Sequence, residues 1–201
     1  MKRQIKFLRV FPLIILVSSC ASSYQLINPR SVNYYGRVED SGVIFEYKYN
    51  VLKESGNKKY AKRELRKDLQ VVSMKITNNS SETISFAEDV EIHCSGRPIV
   101  PVDPEIVVAQ LKQPVPIYLL YLLLWLTVSD CQNNECDVTP IPIGLPIGVG
   151  NMIVANNANF KFRAELQAAN VLSKKIEPGK AAYGILSFKS TGYNPLTFKV
   201  K

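Results

Sequence analysis

Hydrophobic and polar positions along this chain follow three patterns in turn: short alternation, then long apolar runs, then alternation again. Val43, Phe45, Tyr47, Tyr49 and Val51 alternate with Glu46, Lys48 and Asn50, the period-two signature of a strand with one buried and one wet face. Ser55-Gly56-Asn57 breaks that run with turn chemistry. Leu69 to Thr77 alternates again, Asn78-Asn79-Ser80-Ser81 ends it, and Ile84 with Phe86 reads as the returning strand of a hairpin. Val90, Ile92 and Cys94 carry the alternation as far as Ser95-Gly96. Near the C terminus, Glu177-Pro178-Gly179-Lys180 is a tight turn in which proline pre-sets one residue and glycine accepts a positive φ at the next. Leu186 and Phe188, then Leu196, Phe198 and Val200, read as a closing antiparallel pair.

The middle of the chain is different. Asp103-Pro104-Glu105 opens a short helix running towards Lys112, with Asp103 as cap and proline in the first turn. Val115 to Val128 is then almost wholly apolar; as a helix it would be about 21 Å long, against a hydrocarbon core of about 30 Å, too short to span a membrane unaided. A helix apolar on every side must be buried or in lipid. Two readings follow. Either it is a core helix covered by the strands and the next segment, or it is an arm that meets a membrane or a partner through Leu119, Leu120, Leu122, Leu123 and Trp125. In the second apolar segment, Pro140, Pro142 and Pro146 predict an extended lead-in. A helix from about Gly150 to Asn170 follows, with Met152, Ala155, Phe162, Leu166 and Ala169 inward and Lys161, Arg163 and Glu165 towards water. Gly148 and Gly150 would permit close backbone approach or a hinge. The expected fold class is mostly β with a helical insertion (α+β): an antiparallel β-sandwich with an apolar helical segment, at about 103–170, between two strand blocks.

The first residues read as a secretory leader. Lys2, Arg3, Lys6 and Arg9 form a basic region, Val10 to Val17 a short apolar one, and Ser18-Ser19 are small enough for a signal peptidase. Leu16-Val17-Ser18-Ser19-Cys20 resembles a bacterial lipobox, which implies cleavage before Cys20 and acylation of its sulfur. Residues 1–19 are then a lipoprotein signal peptide, 20–33 a lipidated tether, and 34–201 a single β-sandwich domain. Each buried methylene contributes about 0.8 kcal/mol, so a multiply acylated cysteine holds durably. Loss of the leader lowers the formal net charge of +8 by its four cations. No dense basic stripe with interleaved aromatics remains, which argues against nucleic acid as a partner. Lys58-Lys59, Lys62-Arg63 and Arg66-Lys67 read as a solvated loop face, or as a patch near anionic headgroups.

The segments LQVVSMKITNNSSETI (Leu69–Ile84) and IEPGKAAYGILSFKS (Ile176–Ser190) resemble the immunoglobulin-like lipoprotein domains related to immunoprotective antigens. The resemblance implies an immunoglobulin-like β-sandwich and no activity. Together with the lipobox and the segment Ile143–Asn151, the chain resembles envelope lipoproteins of the Bacteroidota, which implies a cell-envelope location. Ala21 in place of Asp, and the absence of an acidic run after Cys20, imply the periplasmic leaflet of the outer membrane.

Cys131 and Cys136 flank Gln132-Asn133-Asn134-Glu135, and in an oxidising compartment they form a disulfide if their Cα atoms come within about 7 Å. They lack the further ligands a closed zinc site needs. His93 and Cys94 are neighbours on a strand and point to opposite faces, which leaves Cys94 as the unpaired, buried thiol. The chain has one His and no nucleophile elbow, phosphate loop or His-Glu-x-x-His. Asp103 with Glu105, and Glu88 with Asp89, read as caps or turns rather than acid–base pairs. The expectation is a lipid-anchored, non-enzymatic module that binds or supports, without cofactor, metal or small-molecule substrate. Its partners would be the membrane, through Cys20, and an envelope protein. The alternative is a membrane-active protein whose segment 115–155 inserts into the bilayer or forms an oligomer seam.

Overall fold

The computed structural model describes residues 20–132 and 135–201, so the leader lies outside it. Gly36–Asp40 (β1), Val43–Lys48 (β2), Leu69–Asn78 (β3) and Ala181–Lys189 (β10) form an antiparallel sheet in the order β1-β2-β3-β10. Leu196–Val200 (β11), Val90–Cys94 (β5) and Arg97–Pro98 (β6) form a second antiparallel sheet in that order. Ile84–Ser85 (β4) pairs with Lys175–Ile176 (β9), and Leu126–Gln132 (β7) pairs with Glu135–Ile141 (β8). The helices are Val51–Glu54 (α1), Lys58–Arg66 (α2), Phe86–Asp89 (α3), Pro104–Leu111 (α4) and Gly144–Ala168 (α5), with a 3-10 helix at Val115–Leu123. The fold is therefore mixed, with antiparallel sheets and a substantial share of helix.

The described chain divides into two units. Unit 1 holds residues 20–23 and Pro114–Asn157; unit 2 holds Tyr24–Gln113 and Ala158–Lys201. In unit 2 the period-two alternation sets the layers. Val43, Phe45 and Tyr47 of β2, Val72, Met74 and Ile76 of β3, and Leu186 and Phe188 of β10 pack in one cluster with Ile92 of β5 and Phe198 of β11. Phe45 and Phe198 stack at 5.2 Å between centroids, joining the two sheets. The other face of the larger sheet, with Leu69, Val71 and Ile185, is covered by Tyr60 of α2, Val107 and Leu111 of α4, and Phe162 and Leu166 of α5. β3 is thus buried on both faces, which its run of apolar residues with Gln70 and Ser73 permits.

Several expectations are corrected. β4 pairs with β9, so Ile84 and Phe86 do not return along β3; Phe86 instead starts α3. The partners of β3 are β2 and β10. β10 and β11 lie in different sheets, so they are not a closing pair. The basic cluster at 58–67 is helical rather than a loop, because Tyr60, Ala61 and Glu64 turn one side of α2 into the core. The expected helix over 115–128 is a 3-10 helix to Leu123 followed by a strand from Leu126, where Thr127 and Val128 favour extended backbone. α5 begins at Gly144 rather than 150: Pro146 falls in its first turn, where no amide hydrogen is needed. The region that separates as a unit is narrower than 103–170, since α4 and the end of α5 belong to the core of unit 2.

The predicted spacer at 20–33 is folded from Tyr24 onward. Tyr24 and Ile27 are buried, and Glu165 accepts from the Tyr24 hydroxyl at 2.7 Å and from the amides of Ile27 and Asn28 at 2.8 and 2.9 Å. Asn57 exchanges two hydrogen bonds with the backbone of Gln25. At the end of α4, the Asn159 side chain accepts from the Gln113 amide at 2.7 Å and donates to the Gln113 carbonyl at 2.9 Å, while Tyr60 donates to the same Asn159 oxygen.

Candidate functional site

The two sequence segments that carried the immunoglobulin-like resemblance meet in space. Asn78 ends β3 with its side chain fully buried: its amide group donates to the carbonyls of Glu82 and Ile176, and its oxygen accepts from Ser80. Its backbone exchanges hydrogen bonds with the 177–180 turn, where Gly179 has φ +71° and only glycine is unstrained. This is a structural junction and offers no open site.

Most of the candidate carboxylates are committed to structure, while Glu88 is exposed. Asp103 caps α4 by accepting from the Glu105 amide at 2.7 Å. Glu105 forms a two-point ion pair with Arg163 and accepts from Gln167. Asp89 accepts from the Ser85 amide. Glu64 is buried and accepts from the Val71 amide at 2.7 Å; burial pushes its carboxyl up to about 7 against that hydrogen bond. A groove of unit 2, about 1000 Å³, is lined by Arg30, Glu165, Lys174 and Tyr183 among others. Its Glu165 holds the Tyr24–Asn28 segment, Lys174 donates to the Tyr183 carbonyl at 2.7 Å, and Arg30 lies over the Tyr183 ring. Burial, reinforced by the nearby Arg30 charge, lowers the Lys174 pKa. Among the described residues no three His, Cys, Asp or Glu gather as a metal site. His93 faces Glu91 at 3.2 Å, and the Cys94 sulfur lies 3.9 Å from the Ser190 hydroxyl, half-buried.

Unit 1 has the opposite character. Cys20 is partly exposed, and the amide of Ala21 donates to the Asn151 side chain at 2.5 Å. Ala21 packs with a small cluster of Tyr118, Tyr121, Leu124, Met152 and Ala155, so the residue after the acylation site is built into this unit. The predicted contact residues are all exposed: Leu119, Leu122, Leu120 at 65 %, Leu123 at 76 % and Trp125 at 60 %. Fifteen of the twenty-two exposed large hydrophobic residues described lie in this smaller unit. Of the 3-10 helix only Tyr118 and Tyr121 are buried, with Val115 partly so, and the wholly buried core helix is not what forms. The stretch Pro104–Leu123 is long and apolar enough to cross a membrane by length and composition, but it is two helices broken around Gln113-Pro114. In β7 and β8, Cys131 stands directly opposite Cys136 in register; their side chains lie outside the description.

What sequence reasoning missed was the small face of α5. Gly144, Gly148 and Ala155 are its buried positions in unit 1, while Leu145, Ile147, Val149, Ile153 and Val154 point outward. A Cβ on Gly144 would collide with the Tyr121 carbonyl oxygen, and one on Gly148 would lie 3.0 Å from that of Tyr118; Gly150 faces open space, so close approach involves Gly148 and Gly144 instead. The four-residue spacing of the two glycines was the readable signal. Compared with protein-family models, with curated proteins and with solved structures, the chain finds no match.

Proposed function

We propose that the chain is an acylated cell-envelope lipoprotein, held through Cys20 in the periplasmic leaflet of the outer membrane, that acts as a binding or structural module without chemistry of its own. The observation that carries this reading is the fixed position of the residue beside Cys20. Ala21 is hydrogen-bonded to Asn151 and packed within the unit that exposes most of the large apolar side chains. An acyl chain on Cys20 would therefore extend from an apolar unit. The non-enzymatic part is supported by Asp103, Glu105 and Glu64, which serve a cap, an ion pair and a backbone amide. A partner protein in the envelope would meet unit 2, whose surface carries the basic helix α2.

Two facing antiparallel sheets support the finer description of unit 2 as an immunoglobulin-like sandwich. The order β1-β2-β3-β10 counts against it, because three successive strands share one sheet where an immunoglobulin domain interleaves early and late strands. The register of Cys131 opposite Cys136 supports a disulfide across the hairpin in an oxidising compartment.

Labelling cells with a radioactive fatty acid tests the anchor. Label is expected in the wild-type chain and lost in Cys20→Ala, with thiol alkylation before and after reduction reporting the Cys131–Cys136 pair in the same sample. An unlabelled wild type, or label surviving in Cys20→Ala, sinks the reading.

A further inference from the structure

We infer that unit 1 is a lipid-embedding unit, set into one leaflet of the bilayer that holds the Cys20 acyl chains, and that it partitions into lipid even without those chains. The inference rests on the acylated-lipoprotein reading for its choice of occupant, and three further observations carry it.

The first is an inverted helix. Along Gly144–Asn157 the small residues Gly144, Gly148 and Ala155 face inward, with Gly144 against the Tyr121 carbonyl and Gly148 near that of Tyr118. Leu145, Ile147, Val149, Ile153 and Val154 face out, and Met152 packs partly inward. In water this arrangement wastes the apolar surface, because burial of large side chains is what drives packing. In hydrocarbon that drive is absent, and helices associate instead through small residues that let backbones approach, with large side chains towards lipid. The inward and outward faces of this segment follow the second rule.

The second is the hairpin β7–β8. Residues 126–129 and 137–141 are exposed on both faces of the ribbon, including Leu126, Val128, Val138 and Ile141. A two-stranded ribbon bare on both faces is marginal in water. An apolar medium supplies the missing cover.

The third is charge. Between Lys112 and Lys161 the only charged residues are Asp130, Glu135 and Asp137, all on the strands of the β7–β8 hairpin. A basic surface drawn to anionic headgroups would carry Lys and Arg here; unit 1 carries none, so its attraction is to the acyl region. Depth follows from length. Nine residues of 3-10 helix rise about 18 Å and the fourteen residues Gly144–Asn157 about 21 Å. Both fall short of a hydrocarbon core of about 30 Å, so the unit lies in one leaflet and does not cross.

Trp125 is the only tryptophan of the chain and lies within the exposed patch, so it reports the contact directly. The experiment uses the mature chain, residues 20–201, carrying Cys20→Ala, so that neither leader nor acyl chains contribute. It is mixed with vesicles of phosphatidylethanolamine and phosphatidylglycerol, with and without bromine on the acyl chains. Expected are co-flotation that persists in high salt, a blue shift of Trp125 emission, and its quenching by the bromines. Leu120→Glu with Leu123→Glu should lower partition by about tenfold or more, as carboxylates at bilayer depth do. Both sites are exposed, so an unchanged circular dichroism spectrum shows that the fold survives. Two results overturn the inference. One is a chain left in solution with water-exposed Trp125 emission. The other is a discrete oligomer that shields Trp125 without vesicles and escapes bromine quenching, which makes a second copy the occupant. Fatty-acid labelling of the wild-type chain is read separately, so failure here and failure of the anchor are distinct outcomes.

Discussion

The two halves of helix α5 obey opposite packing rules. In Gly144–Asn157 glycine and alanine face inward and leucine, isoleucine and valine face out; in Ala158–Ala168 Phe162 and Leu166 face inward, while Lys161 and Arg163 face out. One continuous backbone thus presents two kinds of surface. The second half buries Phe162 and Leu166, as a globular helix does, although Phe160 stays exposed. The first half exposes it, and the change falls at the boundary between the units. Exposed apolar area therefore cannot be read here as poor packing, because a well-packed, ordinary helix continues directly from it.

That contrast can be broken most forcefully by removing one large side chain from each half. Phe162→Ala, in the core of unit 2, should cost about 3–5 kcal/mol of stability in urea unfolding, whereas Leu145→Ala should cost almost nothing in water. Equal losses would show that both halves pack by the same rule.

Next in size is Glu64, the carboxyl buried inside unit 2. Its folded carboxyl keeps its proton up to about pH 7, while the unfolded chain releases it near the ordinary value of 4.5. The folded state therefore binds more protons in that window, and the contribution of this group to stability falls as pH rises from about 4.5 to 7. Glu64→Gln keeps an acceptor for the Val71 amide without the buried charge. It should match the wild type near pH 4 and exceed it by up to about 3 kcal/mol at pH 8. A gap that does not change with pH would contradict the assignment.

The smallest effect concerns Glu165, which holds the Tyr24–Asn28 segment. Glu165→Ala should cost about 1–2 kcal/mol and act locally, speeding hydrogen exchange at the Ile27 and Asn28 amides while the β3 amides stay protected. Slow exchange at Ile27 in the variant would show that Tyr24 and Ile27 hold the segment by burial alone.

Much of unit 2 was legible because its elements follow single periods. Val43–Lys48, Leu69–Asn78, Val90–Cys94 and Leu196–Val200 appear where alternation placed them, and Asp103-Pro104 marked the start of α4. Pairing was less legible, since a strand's alternation names its buried face and not its neighbour: β10 and β11 were adjacent in sequence and ended in different sheets. Helix α2 was hidden by Lys58-Lys59 and Arg66-Lys67, whose charges outweighed the Tyr60, Ala61 and Glu64 stripe. Over residues 115–126 apolar residues occupy nearly every position, so periodicity gives no signal and the start of β7 could not be told from a helix. The inward face was written in Gly144, Gly148 and Ala155, where hydrophobicity is the wrong measure.

The pairing of Asn159 with both backbone groups of Gln113 joins the last residue of unit 2 before the apolar segment to the second residue after it. The whole of 114–157 is in effect a loop whose two ends are stitched by a single amide side chain. Insertions are tolerated where the flanking ends already meet, since the host then loses none of its own contacts. Unit 2 is a host of this kind: its chain leaves at Gln113 and is met again by Asn159, so the two ends of the segment are held together within its own fold.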